Sequence, residues 1–187
     1  MSDSASSRKA SALRFADAAE LREEGELVRG RLVEVTRNTW RHGEVVAQVV
    51  FLLRLWSRDR PGWSIATGDP GAKLSADPDT LRGPDVGVVR AERRPRGRGV
   101  AGWLDGAPDV AIEVVGDTQS VSDVASKALE YLAAGAKLVW ILDPQPKRVV
   151  VYSPPGLTTV LGADDPLSGG AVLEGFACTV RELFDVG

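Results

Sequence analysis

The 187 residues contain one cysteine, one histidine, one methionine and two tyrosines. The single Cys178 excludes a disulfide within the chain and suits a reducing cytoplasm. The single His42 excludes a metal centre built on two histidines. No apolar run approaches the ~18 residues that a membrane-spanning helix needs, so no membrane segment is expected. The opening MSDSASSRKASALRF lacks the apolar stretch of a signal peptide, and its polar, Ser/Ala-rich character predicts a frayed tail over residues 1–12. An excess of positive charge is also missing. The net charge of −3 and pI of 5.3 argue against a protein that coats nucleic acid by bulk attraction.

What is present is an ordinary globular composition, 43% hydrophobic and 26% charged. No internal repeat or low-complexity linker divides it, and the length suits one domain over residues 13–187 with a core that needs no staples. The spacing predicts a short helix over 16–25, a β-hairpin over 26–37 around Gly30, and a long amphipathic helix from Thr39 that stops before Pro61-Gly62. Strands are expected at 63–68, 72–76, 84–92 and 109–115, then a helix over 122–134 ended by Gly135. KLVWILD (137–143) and RVVVYSP (148–154) read as strands paired across the turn DPQPK. The tail adds TTVLG, AVLEG and a short helix around VRELF. The class is α/β (α+β), a mostly β sheet with one early and one middle helix packed on it.

Two features carry chemistry. RAERRPRGRG (90–99) places five arginines within nine residues, and Pro95 and the glycines make it a loop. It is either a solvated surface run or a phosphate grip through Arg93, Arg94 and Arg96. The strand around 109–115 carries an acid, Glu113, in an apolar run, where an isolated carboxylate is costly to bury. Period-two alternation sends Val110, Ile112 and Val114 to one face, and Asp109, Ala111, Glu113 and Val115 to the other. Glu113 thus shares its face with the small Ala111, which leaves room beside it. Asp85, behind Pro84, opens the apolar run DVGVV. If their strands are neighbours, the two carboxylates converge on one hard divalent cation, which takes one or two carboxylates, waters and phosphate oxygens. Otherwise Glu113 is a salt-bridged acid on a half-exposed strand and Asp85 a turn former.

An Asp followed by Glu-x-Lys on neighbouring strands resembles the PD-(D/E)XK nuclease pattern, but here Glu113-Val114-Val115 lacks the lysine. The nearest downstream lysine is Lys127, in SDVASKALEYLAAG. ELVRGRLVEV, RHGEVVAQV, GPDVGVV, the block PDVAIEVVGDTQSVSDVASKALEYLAAGAKLVWILDP, RVVVYSP and LEGFACTVRELF together resemble the Uma-two family of restriction-endonuclease-like bacterial proteins. The likeness runs from about Leu21 to Phe184. It implies a restriction-endonuclease-like core, a central mixed β-sheet flanked by helices, with the active-site lysine moved from strand to helix. It implies Asp85 and Glu113 as the acids for Mg²⁺ or Mn²⁺, and Lys127 as the relocated lysine. Asp123, Glu26 and His42 match further acids and a histidine of the family pattern. Gly116-Asp117 departs from the Ser-Pro that many relatives carry there.

The functional expectation is a metal-dependent endonuclease that hydrolyses phosphodiesters, most readily of DNA, in the cytoplasm and with no membrane partner. The alternatives are an inactive nucleic-acid-binding module on the same fold, and a homo-oligomeric interaction protein, such as a homodimer, that uses the edge of the WILD/VVVY hairpin. Asp123 and Lys127 also have a plain reading, an i,i+4 surface pair worth ~0.3–0.5 kcal/mol.

Overall fold

A computed structural model of the chain describes residues 12–20, 25–35, 37–117 and 119–186. The expected frayed tail lies outside them except for Ala12. Helix α1 (Phe15–Glu20) starts the fold; residues 21–24, through which it was expected to run, lie outside the described residues, and its expected last residue, Gly25, opens a strand instead. Strands β1 (Gly25–Val28) and β2 (Arg31–Glu34) form the anticipated hairpin. Its turn residues Arg29 and Gly30 both have positive φ, 49° and 74°, as a tight two-residue turn between twisted strands requires.

Helix α2 (Trp40–Ser57) is capped by Thr39, whose hydroxyl accepts the His42 amide at 3.4 Å. His42, Val45, Val49, Leu53 and Trp56 recur at helical spacing and form its buried stripe. Then follow β3 (Trp63–Thr67), β4 (Ala72–Ser75), β5 (Thr80–Arg82), β6 (Val86–Arg90), β7 (Leu104–Asp105) and β8 (Val110–Val114). Helix α3 (Val121–Ala133) crosses to β9 (Leu138–Asp143), which is succeeded by β10 (Arg148–Ser153), β11 (Leu157–Leu161), β12 (Pro166–Ser168), β13 (Ala177–Thr179) and α4 (Val180–Leu183).

The strands form two main sheets where one was expected. The larger has the order β11-β10-β9-β8-β6-β3, with β8 and β9 parallel and the other pairs antiparallel. The smaller runs β2-β1-β5-β4-β7. Its strands β5 and β7 are three and two residues long, too short for an alternation pattern to register. AVLEG is a turn between β12 and β13 rather than a strand. A further difference concerns the WILD/VVVY hairpin: β11 pairs with β10 along its length, so that hairpin is interior and presents no edge.

Helix α2 packs on the Val110, Ile112 and Val114 face of the large sheet. Helix α3 covers the opposite face, with Val124, Ala128 and Tyr131 against Ala111, Val139 and Ile141. A parallel pair joined by a helix is covered on both faces, so β8 is buried at all five positions. No described helix is long and apolar enough to cross a membrane.

Candidate functional site

The antiparallel register of β6 and β8 pairs Val86 with Ile112, so Asp85, one residue earlier, lies beside Glu113 and Val114. The Val114 amide donates to Asp85 Oδ2 at 2.7 Å and fixes that carboxylate against the strand bearing Glu113. His42, from the first turn of α2, places Nε2 3.2 Å from the same oxygen. Burial pulls the imidazole down, but the hydrogen bond and charge of Asp85, joined by the Val114 carbonyl, outweigh it and hold His42 above its ordinary value.

Glu113 is 4% exposed. The room beside Ala111 that alternation suggested is filled from α3: the Tyr131 hydroxyl donates to Glu113 Oε1 at 2.8 Å. Lys127 Nζ lies 3.5 Å from Oε2. Lys127 and Tyr131 are i,i+4 on α3 and so share one helix face. Burial pushes the Glu113 carboxyl up, to about 8; Lys127 opposes this and Asp85 adds to it. Lys127 also lies 3.3 Å from Glu26 Oε1. Burial lowers the ammonium, yet Glu113 and Glu26 together hold it above its usual range.

Glu26 is fastened in turn. Arg82 Nη1 donates to its Oε2 at 2.7 Å, the Gly83 amide to its Oε1 at 3.2 Å, and Arg82 Nε reaches Glu130 at 2.8 Å. These contacts tie β1 and β5 of the small sheet to α3 of the large one. Between them opens a cavity of ≈ 390 Å³, lined by Glu26, His42, Asp69, Asp85, Glu113 and Lys127, with Trp103 on its wall.

Asp69 is the acid that sequence reading missed. It sits in the turn Gly68-Asp69-Pro70-Gly71 at φ 54°. Gly83 packs so closely on it that a Cβ there would lie 2.8 Å from the Asp69 backbone oxygen. Burial, then the nearby Asp85 charge, raises its carboxyl. Gly-Asp-Pro-Gly reads as turn chemistry, which hid the carboxylate; Pro70 and the flanking glycines were the available signal.

The other residues singled out in the sequence, Asp123 and the loop arginines Arg93, Arg94 and Arg96, do not line this cavity. Asp123 is exposed at the start of α3 and accepts the Ser120 hydroxyl; the ion pairs of Lys127 are with Glu26 and Glu113 instead. Arg93 holds the buried Asp109, 3.1 Å away, and donates to the Ala107 carbonyl at 2.7 Å. Asp109 precedes Glu113 by four strand residues, about 13 Å, so Arg93 works at the far end of β8. Arg94 and Arg96 are exposed in the same loop.

Asp85 and Glu113 suit a hard divalent cation as a donor set, being two carboxylates on paired strands facing one polar cavity. Among the described residues no three acid, histidine or cysteine side chains form a fuller ligand group, which leaves water and substrate oxygens to complete such a shell.

A family model described as "Uma2: Putative restriction endonuclease" matches residues 14–181. No curated protein matches the sequence. Among solved structures, one described as a putative nuclease belonging to DUF820 from Anabaena variabilis superposes with a TM-score of 0.81 at 21% identity. The match covers 92% of this chain and 97% of that one, so the two share a fold.

Proposed function

Because the chain belongs to the Uma2 family of restriction-endonuclease-like fold, we propose that it is a divalent-metal-dependent endonuclease that hydrolyses phosphodiester bonds of DNA. The observation that supports this reading best is the convergence of Asp85, Glu113 and Lys127, from two strands and a helix, on one cavity. Asp85 and Glu113 would hold Mg²⁺ or Mn²⁺; bound there, the ion acidifies water and offsets charge on the phosphate oxygens.

The chain's own groups do the rest. Lys127 carries a positive charge into the cavity, suited to orient an attacking water and to stabilise negative charge as it grows. Glu26, fixed by Arg82 and Gly83, aims that ammonium. Tyr131 fixes the rotamer of Glu113, and His42 compensates Asp85 while no cation is present. Asp123 has no part in this arrangement, and Arg93 is a structural clamp for Asp109. The lone Cys178, with no disulfide partner in the chain, suits a cytoplasmic site of action.

The test is cleavage of single- and double-stranded DNA and of RNA with Mg²⁺ or Mn²⁺. Asp85→Ala and Glu113→Ala are expected to reduce cutting to background, and Lys127→Met to slow it by roughly 10²–10³-fold. If the intact protein cuts no nucleic acid with either ion, the proposal fails.

A further inference from the structure

Next to the acidic cavity lies a second, apolar cleft of ≈ 220 Å³. Four prolines line it, Pro70, Pro84, Pro95 and Pro108, together with Gly87, Leu104 and Arg94. Gly71 belongs to both spaces. The Trp103 ring lies so close to Gly71 that no Cβ would fit between them. Two dipeptides straddle the dividing wall. Asp69 and Asp85 line the cavity, while their chain neighbours Pro70 and Pro84 line the cleft. Chain neighbours, with Cα atoms about 3.8 Å apart, thus line the two spaces.

Resting on the nuclease reading, we infer that this cleft receives one unpaired base of the substrate strand, with the adjoining phosphate on Arg94, so that the protein acts on single-stranded or locally opened DNA. The size fits: a dry cavity of about 150 Å³ takes benzene, so 220 Å³ admits a heteroaromatic ring. The chemistry fits too, since proline rings offer apolar carbon surface without competing hydrogen bonds. Arg14, Arg82, Arg93, Arg148 and Arg181 are all committed to acids. Arg94 is exposed and has no ion-pair partner among the described residues, which leaves its guanidinium for a phosphate. A base stacked in a duplex reaches the cleft only by leaving the stack, at a cost of a few kcal/mol. An unpaired strand does not pay that cost.

The experiment measures fluorescence anisotropy of the full chain with labelled 12-residue oligonucleotides, with Ca²⁺ replacing Mg²⁺ to hold cleavage off. The probes are a single strand, the same strand lacking all bases, and the duplex. The single strand is expected to bind at least tenfold tighter than either of the others. Arg94→Ala, a surface change, lowers affinity several-fold. Gly87→Ala places a methyl at ordinary contact, 3.6–3.7 Å from the prolines, and shrinks the preference for bases. Equal affinity for the normal and base-free strands overturns the inference, as does equal affinity for duplex. If Mg²⁺-dependent cleavage survives in either of those cases, the nuclease reading stands without it. If nothing is bound or cut, both fall.

Discussion

Glu113 keeps its proton near neutral pH because burial opposes the carboxylate more strongly than Lys127 and Tyr131 favour it. A carboxyl whose folded pKa is raised binds more protons folded than unfolded, so its contribution to stability declines as pH rises from its unfolded value towards about 8. His42, also raised, has the same sign: its stabilisation is lost as pH rises through its folded pKa. The metal-free protein should therefore lose thermal stability between pH 5 and 8, and Glu113→Gln should flatten much of that slope. Melting curves in chelator at half-unit pH intervals check this, and an unchanged slope in the variant would refute it. Cation binding at pH 7 should likewise expel a proton from Glu113, seen by calorimetry as heats that depend on buffer ionisation. Lys127→Met leaves Glu113 and Glu26 facing each other without the ammonium, so it should cost about 1–3 kcal/mol in stability as well as activity.

At the scale of elements, the site is assembled by α3 and by the seam between the sheets. The pattern Lys127-x-x-x-Tyr131 presents both partners of Glu113 from one helix face, which is how a lysine absent from β8 reaches the acid on it. Arg82 locks this assembly, since its guanidinium joins Glu26 of β1 to Glu130 of α3. Arg82→Met should cost about 3 kcal/mol, because it leaves Glu26 buried without its main partner. Denaturant unfolding measures that loss, and mutation of Glu26 to Gln in the Arg82→Met background should recover part of it. Much of this framework was legible in the sequence. Alternation assigned Glu113 to the side of its strand that α3 covers, and helical spacing outlined α2 and α3. The small sheet was not legible, because β5 and β7 are too short to carry a period. Nor was the role of Arg93, since a run of arginines looks the same whether its members face solvent or clamp a buried Asp109.

The whole molecule sets how this site meets a polyanion. A net charge of −3 offers no general attraction, and the cavity itself sets the carboxyls of Glu26, Asp69 and Asp85, beside the protonated Glu113, against Lys127 and Arg82. The sequence made the charge balance visible, but not that most arginines in contact with acids are spent internally. Those left without ion-pair partners among the described residues include Arg94, Arg96 and Arg98, in one loop. Two consequences follow for binding. Affinity for DNA should rise steeply when a divalent cation is added at constant ionic strength, because the ion converts a repelling cavity into an attracting one. The dependence on monovalent salt should be shallow: about three phosphate contacts give a slope of log K against log[salt] near −2 for a single strand, at ~0.7 per contact. Anisotropy titrations between about 50 and 200 mM salt read this directly. A slope near −6 would mean a broad basic face engages the DNA, and the three-arginine loop could not supply it.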